Sequence, residues 1–142
     1  MPLADDQSIA EVLRSVETIA LLGASDKPAR ASHEVMQFLL RCGYRVVPVN
    51  PGLAGSTLLG QAVFASLADI PEPVDMVDVF RDPAYLPGIV GEVIRAGITT
   101  LWTQLGVVDL ESVRRAEDHG IRVVMDRCPA IEWPRLKRLK LL

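Results

Sequence analysis

Residues 21–35 read LLGASDKPARASHEV and gather, in fifteen positions, the residue types that hold a phosphate group. Gly23 lets the backbone turn sharply or come close to a phosphate oxygen. Ser25 and the amides after it offer donors. Lys27 and Arg30 offer charge, and a guanidinium can engage two oxygens at once. Ser32 is a helix-capping type, and Glu34 would fall in the first turn, where the helix dipole favours an anion. Each position also has a plainer use. Gly23 suits strand-to-helix packing, and Lys27 and Arg30 suit a solvated basic loop. The dinucleotide fingerprint G-x-G-x-x-G is missing, because no second or third glycine follows Gly23.

Further along, Asn50 stands 27 positions after Gly23, close to where a dinucleotide site places an acid on the ribose hydroxyls. An amide is a weaker acceptor there but tolerates a phosphate beside the ribose. Asn50 also precedes Pro51 and Gly52, so a turn role competes. Asp75 and Asp78 lie three apart in a strand-like run and would face opposite sides of it. Each is expected to be a helix-end contact or a hydrogen-bonded structural carboxylate. His33 and His119 sit where helices start and stop. No Ser/His/Asp order, paired-acid spacing or metal cluster emerges, so neither a catalytic residue nor a metal ligand is expected.

The elements that must position these residues follow from periodicity. Ile9, Val12, Leu13 and Val16 fall at i, i+3, i+4, i+7, one apolar face of a first helix. Thr18–Gly23 reads as a buried strand. The next helix runs from Ser32, with Val35, Phe38, Leu39 and Cys42 inward, to Gly43. Tyr44–Gly52 reads as a second strand running into a turn, and Pro48 in it suggests an edge position. Residues 53–73, broken by Gly55, Gly60, Pro71 and Pro73, resist assignment beyond one helical turn at LADI. Val74–Phe80 is a third strand. Asp82 and Pro83 then start a helix carrying Leu86, Ile89, Val90, Val93 and Ile94, closed by Gly97. Ile98–Trp102 is a fourth strand, Asp109 caps a helix ending at Gly120, and Ile121–Met125 is a fifth strand. Short apolar strands alternating with helices imply parallel pairing and right-handed crossovers. The expected fold is therefore α/β: one Rossmann-like, doubly wound domain over 1–142, with about five parallel strands.

In such sheets ligands bind beyond the carboxyl ends of the strands. Those ends carry Gly23 to Arg30, then Asn50 and Pro51, Phe80 and Arg81, Gln104 and Gly106, and Cys128 and Pro129.

Composition narrows the classes further. The 142 residues are 49% hydrophobic and 23% charged, a globular mix that argues against disorder. A net charge of -3 argues against a nucleic-acid track. Two cysteines make no disulfide framework, and no apolar run is long enough for a membrane span or resembles a signal peptide, so a reduced, cytoplasmic protein is expected. The basic tail at 132–142 is expected to pack Trp133 and its leucines on the sheet's end and to solvate its charges; binding to a membrane surface or to a protein partner is the competing reading.

Eight segments in order carry a resemblance: GAS (23–25), PARAS (28–32), GYRVVPVNP (43–51), LG (59–60), SLADIPEPVD (66–75), VDVFR (77–81), LWTQLGV (101–107) and VVMDRCP (123–129). Together, over roughly residues 8–136, they resemble the stand-alone CoA-binding proteins. These are small relatives of the CoA-binding domain in the succinyl-CoA synthetase alpha subunit. The resemblance implies a Rossmann-like fold holding coenzyme A, or an acyl-CoA, across the carboxyl edge. It implies that Gly23, Ala24, Ser25 and Arg30 meet the pyrophosphate, with Lys27 and Ser32 in the same loop. It implies that Val49, Asn50 and Pro51 sit by the adenosine and that Phe80 and Arg81 flank the ligand. Gln104, Gly106, Cys128 and Pro129 would line the pantetheine side, where a mixed disulfide with Cys128 competes with a buried structural thiol. The large synthetase domain has asparagine before C-P; this chain has Arg127. The resemblance further implies no phosphohistidine ligase domain, hence a binding module rather than an enzyme. An NAD-type or other nucleotide-binding redox sensor or oxidoreductase is the alternative, disfavoured by the missing glycines and the missing acid at position 50.

Overall fold

A computed structural model describes all 142 residues. Five parallel strands form the sheet: β1 (Thr18–Leu22), β2 (Arg45–Val49), β5 (Met76–Val79), β6 (Thr100–Thr103) and β7 (Arg122–Val124), in the order β2-β1-β5-β6-β7. Two two-residue strands, β3 (Thr57–Leu58) and β4 (Gln61–Ala62), make a separate hairpin. Helices α1 (Asp6–Ser15), α2 (Ala31–Arg41) and α5 (Pro129–Arg138) cover one face. Helices α3 (Leu86–Ala96) and α4 (Leu110–Asp118) cover the other. The expected doubly wound fold is what forms. The chain moves outward from β1 to β2, crosses back, and then moves the other way through β5, β6 and β7. Strand order therefore reverses between β1 and β5, which places a crevice at their carboxyl ends.

Alternation along each strand builds the two cores. In β1, Ile19 and Leu21 point to the α1/α2/α5 face and Ala20 and Leu22 to the α3/α4 face. In β6, Trp102 takes the first face and Leu101 the second. Strands buried on both sides read as largely apolar runs, which is why all five are legible in the sequence. Pro48 falls in the edge strand β2, as expected. Its carbonyl accepts from Phe64 N–H at 3.1 Å and Asn50 N–H donates to the Phe64 carbonyl at 2.9 Å, so the proline's missing donor points away from β1.

Several expectations are corrected. Ser32 does not cap α2. A turn closed by Arg30 N–H donating to the Lys27 carbonyl feeds the chain into the helix two residues sooner, Arg30 takes the N-cap position without a side-chain bond, and Ser32 is buried in the first turn. Asp109 holds its cap position, but its carboxylate accepts from the Ser112 hydroxyl at 2.6 Å rather than from a backbone amide. Asp82 does cap, though it opens a 3-10 turn (Pro83–Tyr85) ahead of α3. The carboxyl-terminal tail is not laid on the sheet's end. It forms most of α5, which packs beside α1 and α2; Leu136 is buried and the Trp133 ring meets Phe38 edge-on. Lys137, Arg138 and Lys140 are exposed, whereas Arg135 turns inward to Asp6 at 2.7 Å and Glu132 at 2.9 Å. Asp75 behaves as expected, accepting from the Glu17 and Thr18 amides. Asp78 does not: it is fully buried and neither carboxylate oxygen has a partner. No helix is long and apolar enough to cross a membrane.

Candidate functional site

Gly23 ends β1 with φ +85. A Cβ built there would lie 2.2 Å from the carbonyl oxygen of Phe80, at the end of β5. The glycine is thus demanded by the close approach of two strand ends where strand order reverses. Its N–H and that of Ala24 both donate to the Val49 carbonyl, at 3.1 and 3.3 Å. Those two amides hold the scaffold and are not free for an anion.

The free donors come next. The amides of Ser25, Asp26, Ala31 and Ser32 have no acceptor within the protein. Ala31 and Ser32 open α2, whose N-terminus has no capping side chain, so the positive end of an eleven-residue helix faces outward uncapped. The loop is pinned from both sides. Lys27 N–H donates to Ser25 Oγ at 3.1 Å, and His33 Nδ1 donates to the Ser25 carbonyl at 2.9 Å. Asn50 spans the crevice floor: its amide N–H donates to the Ala24 carbonyl at 2.7 Å and its Oδ1 accepts from Gly52 N–H at 2.8 Å. The turn role for Asn50 is therefore realised, and both ends of its side chain are engaged.

Gly23, Ala24, Ser25, Lys27, Arg30, Ser32, Asn50 and Phe80 line one open crevice of about 480 Å³ with Asp26, Ala31, Gly52 and Leu53. Val49, Pro51 and Arg81 line a second, smaller cavity of about 240 Å³ on the other side of Gly23. Sequence reasoning missed several residues of this second cavity, among them Ser66, Leu67, Tyr85 and Glu92. Ser66 and Leu67 belong to the stretch that resisted assignment; Tyr85 and Glu92 carried no signal beyond their place on α3 and the turn before it. The Arg81 guanidinium lies 4.3 Å from the centre of the Tyr85 ring, and both residues line this cavity. Lys27, Arg30 and Arg81 make no ion pair in the protein, so three unneutralised cations flank the strand-order reversal.

Gln104, Gly106, Cys128 and Pro129 line neither cavity. They cluster one and two strands farther along the same edge. Asp126, held at φ +61, accepts from Gly106 N–H at 2.7 Å and donates its own N–H to Thr103 Oγ1 at 3.0 Å. Thr103 Oγ1 in turn donates to the Val107 carbonyl. The loops after β6 and β7 are thereby tied into one rigid shelf. Cys128 is buried at the N-cap of α5, the setting of a structural thiol. His119 Nδ1 is engaged with the Arg115 carbonyl at 2.9 Å.

The sequence model of a family described as "CoA binding domain" matches residues 17–134. The Bacillus subtilis (strain 168) protein YneT is 37% identical over 120 residues, covering 84% of this chain and 87% of its own. A solved structure from Thermus thermophilus superimposes with a TM-score of 0.89 at 41% identity, covering 94% of this chain and 99% of that one. The alpha subunit of the Pyrococcus furiosus ADP-forming acetate–CoA ligase I is 26% identical over 128 residues. The match takes in 80% of this chain but only 28% of that longer protein.

Proposed function

The chain belongs to the CoA-binding domain family, and from that premise we propose that it binds coenzyme A, or an acyl-CoA, along the carboxyl edge of its sheet as a binding module without catalysis of its own. One observation carries the reading. The uncapped N-terminus of α2, with four free amides nearby and two unpaired cations, forms an anion cradle at the point where strand order reverses. A pyrophosphate placed there receives backbone donors and helix dipole, with charge from Lys27 and Arg30. CoA carries a 3′-phosphate besides, and Arg81 supplies a third cation beyond Gly23. A nicotinamide dinucleotide finds less support, since Asn50 has its side chain engaged at both ends and no carboxylate stands in its place for the ribose.

The absence of catalysis rests on the uses found for the reactive side chains. Both histidines are engaged with backbone carbonyls through Nδ1, and Cys128 is in the core. Titration calorimetry with CoA, 3′,5′-ADP and NADH tests the reading. CoA and 3′,5′-ADP are expected to bind and NADH to bind more weakly or not at all; tighter binding of NADH than of CoA would overturn it.

A further inference from the structure

Two polar side chains on the α1/α2/α5 side of the sheet keep buried atoms without partners. They are Asp78, through both carboxylate oxygens, and Gln104, through Oε1. No other buried side-chain nitrogen or oxygen is left so. An unmet buried acceptor is costly and rare, so two neighbouring exceptions call for one explanation. They are neighbours by register. Asp78 pairs with Trp102, Gln104 follows Trp102 by two residues, and Gln104 N–H extends the ladder to the Val79 carbonyl at 3.2 Å. That makes them diagonal partners on one face.

Two acceptors cannot satisfy each other, but a carboxylic acid and an amide oxygen can. Burial alone acts on Asp78 and raises its pKa well above the carboxylate range, favouring the acid. The titratable groups on the elements packed against that face are otherwise occupied. Glu132 on α5 is held by Arg127 and Arg135, and His33 on α2 by the Ser25 carbonyl. Cys128 is in the core, and α1 turns Ile9, Ala10, Val12 and Leu13 inward. Gln104 Nε2 makes no hydrogen bond in the protein yet is not among the buried unpartnered atoms, so it reaches accessible space.

We propose that the Asp78 carboxylic acid donates its proton to Gln104 Oε1 and thereby turns the Gln104 N–H donors outward, to the carboxyl edge, where they bind a carbonyl of the ligand's pantetheine arm. This rests on the CoA reading. With the nucleotide at the end of β1, the next strand ends are β5 and β6, at roughly 4.8 Å per strand. Gln104 is then about 10 Å along the edge from the end of β1, a span that an extended arm carrying two amide carbonyls can follow. An ionised Asp78 reverses the geometry: Nε2 turns inward to the carboxylate, and Oε1 faces the ligand carbonyl, acceptor against acceptor. Asp78 is a positioning residue, acting through Gln104.

The affinity ratio of CoA to 3′,5′-ADP, which lacks the arm, isolates this contact. The ratio is expected to fall about tenfold in Asp78→Val and in Gln104→Ala, the worth of one hydrogen bond of about 1.4 kcal/mol. It is expected to hold in Asp78→Asn, whose amide still donates to Oε1. A ratio unchanged in Asp78→Val or Gln104→Ala, or lost in Asp78→Asn, overturns the proposal. An infrared measurement needs no ligand. The wild type at neutral pH should show the C=O stretch of a protonated carboxylic acid, missing in Asp78→Asn; a wild type without that band overturns the proposal. If neither CoA nor 3′,5′-ADP binds, the CoA reading falls and this proposal with it, while the band still reports the state of Asp78 alone.

Discussion

At the scale of single residues, Gly23 and Asp78 decide most. Gly23 resolves between its two sequence readings: its amide holds Val49, and its missing side chain admits Phe80. Gly23→Ala sets a Cβ 2.2 Å from a backbone oxygen at positive φ. The expected loss is about 2 kcal/mol or more, read by urea unfolding. Asp78 gives a signed pH effect. Its pKa is raised in the folded state, so as pH climbs above the ordinary carboxylate value near 3.8 the unfolded chain releases its proton first. Stability is therefore lost with rising pH up to the folded-state pKa, by at most about 1.4 kcal/mol per pH unit. Asn at 78 has no proton to lose. The stability of Asp78→Asn relative to wild type should grow from pH 4 upward in parallel urea titrations; parallel curves would mean that Asp78 ionises equally in both states. The sequence showed an acid inside an apolar strand but could not show that no donor meets it, because partners come from other elements.

At the scale of elements, the proposed binding rests on the N-terminus of α2. Legibility was good here except at the boundary. Residue types mark the loop, yet Ser32 reads as the cap, because the turn closed by Lys27 and Arg30 leaves no signature in composition. The uncapped end is what the proposed cradle rests on. Arg30→Ala is expected to weaken CoA and 3′,5′-ADP alike, by roughly tenfold, and to flatten the salt dependence of both. Calorimetry at two ionic strengths checks it, and loss confined to CoA would place Arg30 elsewhere. α5 is the second telling element. Its sequence read as a basic tail, since four cations within six residues mask the single buried Leu136. In the fold, Glu132 draws Arg127 and Arg135 together, and Arg135 reaches on to Asp6 at the start of α1. Glu132→Ala leaves two half-buried guanidiniums facing each other, and should cost about 2 kcal/mol in urea unfolding; a change within about 0.5 kcal/mol would mean the cluster is solvated like a surface pair.

At the scale of the whole molecule, sheet order turns scattered loops into one edge. The sequence made the strands and their parallel sense readable, because doubly buried strands are apolar throughout. It did not show the order β2-β1-β5-β6-β7, nor that the 50–75 crossing would place Ser66 and Leu67 beside Arg81. The hairpin at Thr57–Ala62, with two residues per strand, is too short to carry a period. The order divides the expected site residues into three groups: the cradle, the cavity beyond Gly23, and the shelf holding Gln104 and Cys128. In the proposed reading one extended CoA molecule joins all three. Thermal unfolding with CoA beside NADH therefore tests the central claim most directly. Coenzyme A at about 100 times its dissociation constant should stabilise the fold by about 2.7 kcal/mol, visible as a rise of several degrees in Tm, while NADH leaves it near its starting value. An unmoved Tm at millimolar CoA, or a rise with NADH alone, would contradict the account.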